Sequence, residues 1–303
     1  MNFPPYFKKK KAELDKYLES ILSAEYLGVD ADTALLLEAA RYSSLDGGKR
    51  MRGVITLLIT DLINPEFNTM PLAAGLELIH TYSLIHDDLP AMDNDDYRRG
   101  KLTCHKVYGE DIAILTGDFL MTLAYYLFSQ ELPKGNFKAE NILQTISYIS
   151  KNLGINGMVG GQVIDIKSCN TNIDKTLLEK MHLLKTGLFL EAAFCAPVLL
   201  IHEKAEWLEE INLQKYALNA GLLFQIIDDI LDETGDEKKL GKKTGADKKL
   251  EKATYVSIMG LAKADKLAKE IYQYTLDMIK SVRTKVVKEK LTDIINIIYK
   301  RDI

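Results

Sequence analysis

From residue 12 to the last helical pattern, apolar residues recur at three- and four-residue spacing, and alternating patterns rich in β-branched residues are almost absent. A chain with that periodicity buries its apolar residues along helix faces, so the fold class is all-α, a single large antiparallel bundle. Helices are expected over Ala12–Leu22, Pro71–Asp88, Asp111–Gln130, Lys138–Leu153, Lys175–Leu200, Glu206–Leu231, Ala253–Val282 and Lys288–Tyr299. The breaks between them are short (Asn64-Pro65, Leu132 to Gly135, Asn170 to Asn172), as between packed helices. Most prolines sit at such edges; Pro197 does not, and is expected to end or kink its helix. No internal repeat and no low-complexity linker divides the 303 residues. A length that alone suggests about two domains is therefore read as one, spanning residues 1–303.

Several function classes are excluded early. The 39 basic and 43 acidic side chains leave a net charge of −4, which argues against a nucleic-acid partner. The longest apolar run, Ala192 to Ile201, has ten residues, short of the roughly 18 of a membrane span, so no stable membrane association is expected. The opening MNFPPYFKKKK lacks an apolar signal core. Cys104, Cys169 and Cys195 are scattered and odd in number, which points to a reducing, cytoplasmic setting. Asp236 to Lys252 holds seven lysines and two glycines and reads as a mobile loop.

Two acidic clusters carry the chemistry. The first runs from His86-Asp87-Asp88 through Asp93 to Asp95-Asp96; the second is Asp228-Asp229-Ile-Leu-Asp232. Carboxylates packed this densely after apolar helices are costly to hold together without hard cations, and Mg²⁺ takes one or two carboxylates, waters and substrate phosphates. Asp228 and Asp232, four residues apart, share a helix face. Asp87 and Asp93 are six apart, about 240° around a continuous helix, so the helix must break at Pro90 for Asp93 to return. Glu77 and Glu191 lack a histidine three residues on, which disfavours iron.

A cluster of magnesium ions implies a polyphosphate, and cationic partners are present. Gly47-Gly48-Lys49-Arg50-Met51-Arg52 is a basic turn opening an apolar helix, suited to anion binding at a helix N-terminus. Arg98-Arg99 follows the first cluster, and Lys185-Thr186-Gly187 offers more. His80 lies two helical turns before Asp87 on the same face and reads either as a core residue or as a phosphate contact; His86 reads as structural.

Taken together, Gly47–Gly53, His80–Gly100, Gly160–Gln162, Lys185–Gly187, Phe224–Asp232 and Gly241–Lys252 resemble the polyprenyl diphosphate synthase family over essentially the whole chain. The likeness is strongest to its bacterial short-chain, farnesyl diphosphate synthase type, with two extra residues in the first motif. It implies a homodimeric helical fold around a deep cavity and Mg²⁺-dependent head-to-tail condensation of isopentenyl diphosphate with dimethylallyl and geranyl diphosphate. By the same resemblance, Asp87, Asp93 and Asp228 hold three Mg²⁺ ions, and Asp88 and Asp232 support them. Arg98, Lys185, Gln225, Lys242 and Lys252 contact the allylic diphosphate, and Gly48, Lys49, Arg52, His80 and Arg99 bind the isopentenyl diphosphate. Lys185, Thr186 and Gln225 line the reacting centre, with Gln162 and Phe224 close by. No acid–base dyad stands out, so the released diphosphate is the expected proton acceptor.

One departure is Gly53, where proline is common; it is expected to touch the start of a helix and hardly the chemistry. Chain length is expected to turn on Tyr82, roughly 7.5 Å below Asp87 on one helix, which reads either as a bulky floor that stops the growing tail or as a core tyrosine, while Ser83 does not obstruct. Alternatives are a geranyl or geranylgeranyl product, a non-catalytic regulatory subunit and, more weakly, a terpene cyclase.

Overall fold

The structure is a computed structural model that describes residues 4–45, 47–169, 171, 173–234 and 253–300. Its described residues are predominantly helical, with one two-stranded hairpin. The chain divides into two compact units. One comprises Pro4–Asp61 and Pro65–Ile142; the other is built on Leu143–Ile303 with Leu62–Asn64.

The first unit contains α1 (Pro5–Ile21), α2 (Ala24–Leu27), α3 (Ala34–Leu45), most of α4 (Met51–Ile63), α5 (Met70–Asp87), α6 (Cys104–Tyr108) and α7 (Glu110–Gln130). Its centre is α5, where Leu72 to Ile79 are all buried, so the helix is apolar on every side rather than amphipathic. Helices α5 and α7 interlock through two glycines. A Cβ on Gly75 of α5 would lie 2.2 Å from the Phe128 ring of α7, and one on Gly117 of α7 would lie 2.1 Å from His86 Nε2 of α5. The two contacts are about three turns apart on both helices, which fixes an antiparallel register. His86 also bonds the Ile114 carbonyl at 3.1 Å, in keeping with a structural role. Gly53 matters more than its position at a helix start suggests. A Cβ there would lie 2.4 Å from Leu14 and 3.0 Å from Glu77, and its N–H donates to buried Glu77 at 2.9 Å, a bond that proline lacks.

The second unit contains most of α8 (Ala139–Leu153), then α9 (Met158–Ser168), α10 (Lys175–His182), α11 (Leu188–Ile201), α12 (Glu206–Glu210) and α13 (Leu213–Thr234). Helices Tyr255–Met259, Leu261–Ile279 and Lys285–Tyr299 complete it. Three expected helices are interrupted. Lys175–Leu200 contains a π-helical turn at Leu183–Gly187, Glu206–Leu231 breaks before Leu213, and Ala253–Val282 breaks at Gly260, whose φ is 82°. Pro197 lies inside α11 without ending it, and the helix stops at His202 in a left-handed cap instead. The N-terminal helix begins at Pro5, a proline at the first position, rather than at Ala12.

The stretches Glu110–Gly135 and Lys175–Ile201 are long and apolar enough to cross a bilayer by composition. Both bury residues within their own unit, as core helices do. Helix α7 nevertheless keeps Ile114, Leu115, Met121 and Tyr126 exposed.

Candidate active site

The first acidic cluster is built at the C-terminal end of α5. The helix ends at Asp87, and the chain turns back so that the Asp93 N–H donates to the Asp87 carbonyl at 2.8 Å. Asn94, at φ 52°, donates to the Leu89 carbonyl at 3.1 Å and completes the turn. The break and return expected from Pro90 are both present. Asp87 and Asp93 are half-buried, whereas Asp88 is 3% exposed. Arg98 grips both oxygens of Asp88, at 2.8 Å from Nε and 2.5 Å from Nη2. Burial pushes the Asp88 carboxyl up, and the guanidinium pulls it part of the way back. Asp88 thus anchors the turn, and Arg98 is held on the cluster itself.

Tyr97–Arg98 pairs with Lys101–Leu102, and the two-residue turn Arg99-Gly100 has φ of 54° and 79°. Positive φ at both positions matches the twist of a tight hairpin. This turn lays the Arg99 guanidinium against Gly48, where an added Cβ would lie 3.1 Å from Nη1. Gly48 has φ 94°, a conformation side chains resist. Arg50, also at positive φ, is 2% exposed and bonds Asp15 at 2.7 Å and the Ser44 carbonyl at 2.5 Å, so it braces the basic turn from below. Lys49 is exposed and Arg52 half-buried. Burial, then the positive charge of Arg52, Arg99, Arg98 and Arg50, holds His80 well below the ordinary imidazole range. The structure therefore gathers Gly48, Arg52, His80 and Arg99 into one electropositive region with a neutral histidine in it. Tyr82 is buried with its ring edge-on to His86 at 5.7 Å, and burial pushes its phenol up to about 12. The Ser83 hydroxyl donates to the His80 carbonyl at 2.9 Å.

The second unit carries the other acidic cluster on α13. Asp228 is half-buried, while Asp229 and Asp232 are 3% and 5% exposed. Lys185 and Thr186 lie in the π-helical turn, which two glycines let its neighbours approach. A Cβ on Gly161 of α9 would lie 2.3 Å from the Lys185 nitrogen, and one on Gly221 of α13 would lie 2.8 Å from the Gly187 Cα. Lys185 Nζ reaches Asp165 of α9 at 2.6 Å. The Thr186 hydroxyl donates to Gln225 Oε1 at 3.1 Å, and Gln225 Nε2 donates to Asp229 Oδ1 at 3.0 Å. Asp229 Oδ2 accepts the Tyr255 N–H at 2.8 Å. His182 stacks on Tyr255 with its Nε2 3.7 Å from Asp229, and burial depresses its pKa to about 4 against the pull of Asp165. At neutral pH it is an uncharged ring beside a carboxylate. Phe224 is half-buried, and the Gln162 amide has both polar atoms buried with no hydrogen-bond partner among the described residues. Lys242 and Lys252, with the rest of the lysine-rich loop, lie outside the described residues.

Sequence reasoning missed Arg50, Asp165 and Asp229 as participants. Asp165 was legible as the acid four residues after Gly161 on one helix face. Asp229 was masked by its neighbours, because it reads as one more carboxylate of the cluster.

The half-buried Asp87 and Asp93 of the first unit, and Asp228 of the second, each offer hard oxygen atoms of the kind magnesium takes. Among the described residues no three acidic, histidine or cysteine side chains converge to enclose an ion.

Comparison with known proteins agrees with this chemistry. Residues 33–294 match the family model described as polyprenyl synthetase. Farnesyl diphosphate synthase of Haemophilus influenzae is 38% identical over 91% of the chain and 93% of that protein. Geranylgeranyl diphosphate synthase of Cyanophora paradoxa is 44% identical over 77% of each. The crystal structure of geranyltransferase from Helicobacter pylori, complexed with magnesium and isoprenyl diphosphate, superposes with a TM-score of 0.84 and 29% identity over 99% of both chains.

Proposed function

The chain belongs to the polyprenyl synthetase family of prenyltransferases, and from that premise we propose that it is a farnesyl diphosphate synthase acting as one 303-residue domain. The single observation that carries the proposal is the folded-back turn joining Asp87 to Asp93, set in the same unit as the Gly48, Arg52, His80 and Arg99 cluster. That pairing supplies metal-ligand oxygens for an allylic diphosphate and a separate cationic seat for a second diphosphate. The second seat disfavours a terpene cyclase, and the intact motifs disfavour a non-catalytic subunit.

Asp87, Asp93 and Asp228 would hold the Mg²⁺ ions, three by the family resemblance, that engage the allylic diphosphate, with Asp88 and Asp232 in support. Magnesium, when bound, neutralises the diphosphate and favours its departure. Arg98, Lys185, Gln225, Lys242 and Lys252 assist at the same group. Gly48, Lys49, Arg52, His80 and Arg99 seat the isopentenyl diphosphate; His80, being neutral, binds as a hydrogen-bond donor rather than as a cation. The Lys185 carbonyl, the Thr186 hydroxyl oxygen and Gln225 Oε1 turn negative ends of dipoles towards the allylic cation. The C–O bond breaks with its electron pair on diphosphate, the isopentenyl double bond attacks, and the released diphosphate takes the proton. A second copy of the chain covers the exposed apolar face of α7, and the enzyme works in the cytoplasm.

Tyr82 is proposed as the floor that stops growth at C15, because it is bulky, buried and on α5 just below Asp87. Incubation with labelled isopentenyl diphosphate, dimethylallyl diphosphate and Mg²⁺, followed by product chromatography, is expected to give a C15 alcohol after dephosphorylation. Tyr82→Ala is expected to shift the product to C20 and beyond. A wild-type product of C20 refutes the farnesyl assignment, and an unchanged distribution in Tyr82→Ala places the floor elsewhere.

A further inference from the structure

The geometry points to Asp229 as a positioning residue that sets the polarity of the Thr186–Gln225 pair. This rests on the proposed role of those two side chains at the reacting centre. Gln225 sits between two partners, Asp229 at 3.0 Å and Thr186 at 3.1 Å. An amide placed so can adopt two orientations related by a flip, and the partners decide between them. Thr186 cannot decide, since a hydroxyl both donates and accepts and follows whatever faces it. An ionised Asp229 only accepts, so it takes the NH₂ end of Gln225 and leaves Oε1 towards Thr186.

Thr186 then spends its one proton on Gln225, and its lone pairs remain to face the allylic cation. In the flipped state Gln225 would present NH₂, Thr186 would accept from it, and the hydroxyl proton would point outward. One flip therefore reverses two dipoles at the place where positive charge develops. Asp229 is itself firmly held, being 3% exposed with its other oxygen accepting the Tyr255 N–H at 2.8 Å.

Asp229→Asn does more than remove a charge. The Tyr255 N–H only donates, so it takes the new amide oxygen and turns the asparagine NH₂ towards Gln225. Gln225 must then flip, and both dipoles are reversed. Asp229→Asn/Gln225→Glu restores the order, because the new glutamate accepts from the asparagine NH₂ with one oxygen and from Thr186 with the other.

The test is steady-state kinetics with isopentenyl and geranyl diphosphates at saturating and limiting Mg²⁺. Wild-type turnover in the same assay separates this inference from the assigned activity, which an inactive wild type would overturn. Asp229→Asn is expected to lower kcat by about 10²-fold, with KM for isopentenyl diphosphate and the half-saturating Mg²⁺ concentration unchanged. The double variant is expected to recover at least about tenfold of that loss. A double variant no faster than Asp229→Asn, an undiminished single variant, or a raised Mg²⁺ requirement in Asp229→Asn overturns the inference; the last would make Asp229 a metal ligand.

Discussion

Asp228→Ala is expected to lower the turnover of geranyl diphosphate by about 10³-fold, with the thermal midpoint nearly unchanged. Asp228 is the half-buried member of its cluster, while Asp229 and Asp232 beside it are buried. Its removal takes the proposed hard oxygen ligand away without opening a cavity in the core. Asp87→Ala is expected to match it, because Asp87 ends α5 with its side chain half-buried while its carbonyl holds the returning turn. Turnover against Mg²⁺ concentration checks both: loss with a raised Mg²⁺ requirement supports metal-ligand roles, and wild-type turnover in either variant removes that carboxylate from the site.

Gly221→Val is expected to cost about 3 kcal/mol of stability and most of the activity. A Cβ at Gly221 would stand 2.8 Å from the Gly187 Cα, and a backbone atom cannot rotate away as a side chain can. Gln225 lies one turn further along the same face of α13. Pushing α13 from the π-helical turn therefore stretches the 3.1 Å bond between Thr186 and Gln225. Thermal unfolding and turnover of the folded fraction are the measurements. A variant with wild-type midpoint and rate would mean that the glycine contact does not set this spacing.

The helical class and the two acidic clusters were legible because they rest on local pattern. Periodicity exposes an apolar face, and Pro90 announces where α5 must stop before Asp93 can return. The interruptions were not legible. The π-helical turn at Leu183–Gly187 has no breaker at its start, and it arises where two neighbouring helices press in at Gly161 and Gly221. Of the two outcomes expected at Pro197, the helix does not end there: α11 runs on to Ile201, and packing in a buried helix outweighs the local cost of a missing N–H. Within the site, residue type pointed to the proposed chemistry, but pairings were hidden. Nothing in the sequence distinguishes Arg50, bound to Asp15, from Arg52, or tells that Asp229 addresses Gln225 while Asp228 stands half-exposed. Those assignments depend on contacts between residues 35 and 26 positions apart, as for Arg50 with Asp15 and Tyr255 with Asp229.

The central claim is that the two acidic motifs act through magnesium on one allylic diphosphate. Equilibrium binding of a non-ionising geranyl diphosphate analogue, with and without Mg²⁺, tests it most directly in wild type, Asp87→Ala, Asp228→Ala and the double variant. The account predicts Mg²⁺-dependent binding that each single variant weakens strongly, and a double variant scarcely weaker than either, because the motifs share one ligand. Binding that is indifferent to Mg²⁺, or losses that simply add, would contradict it.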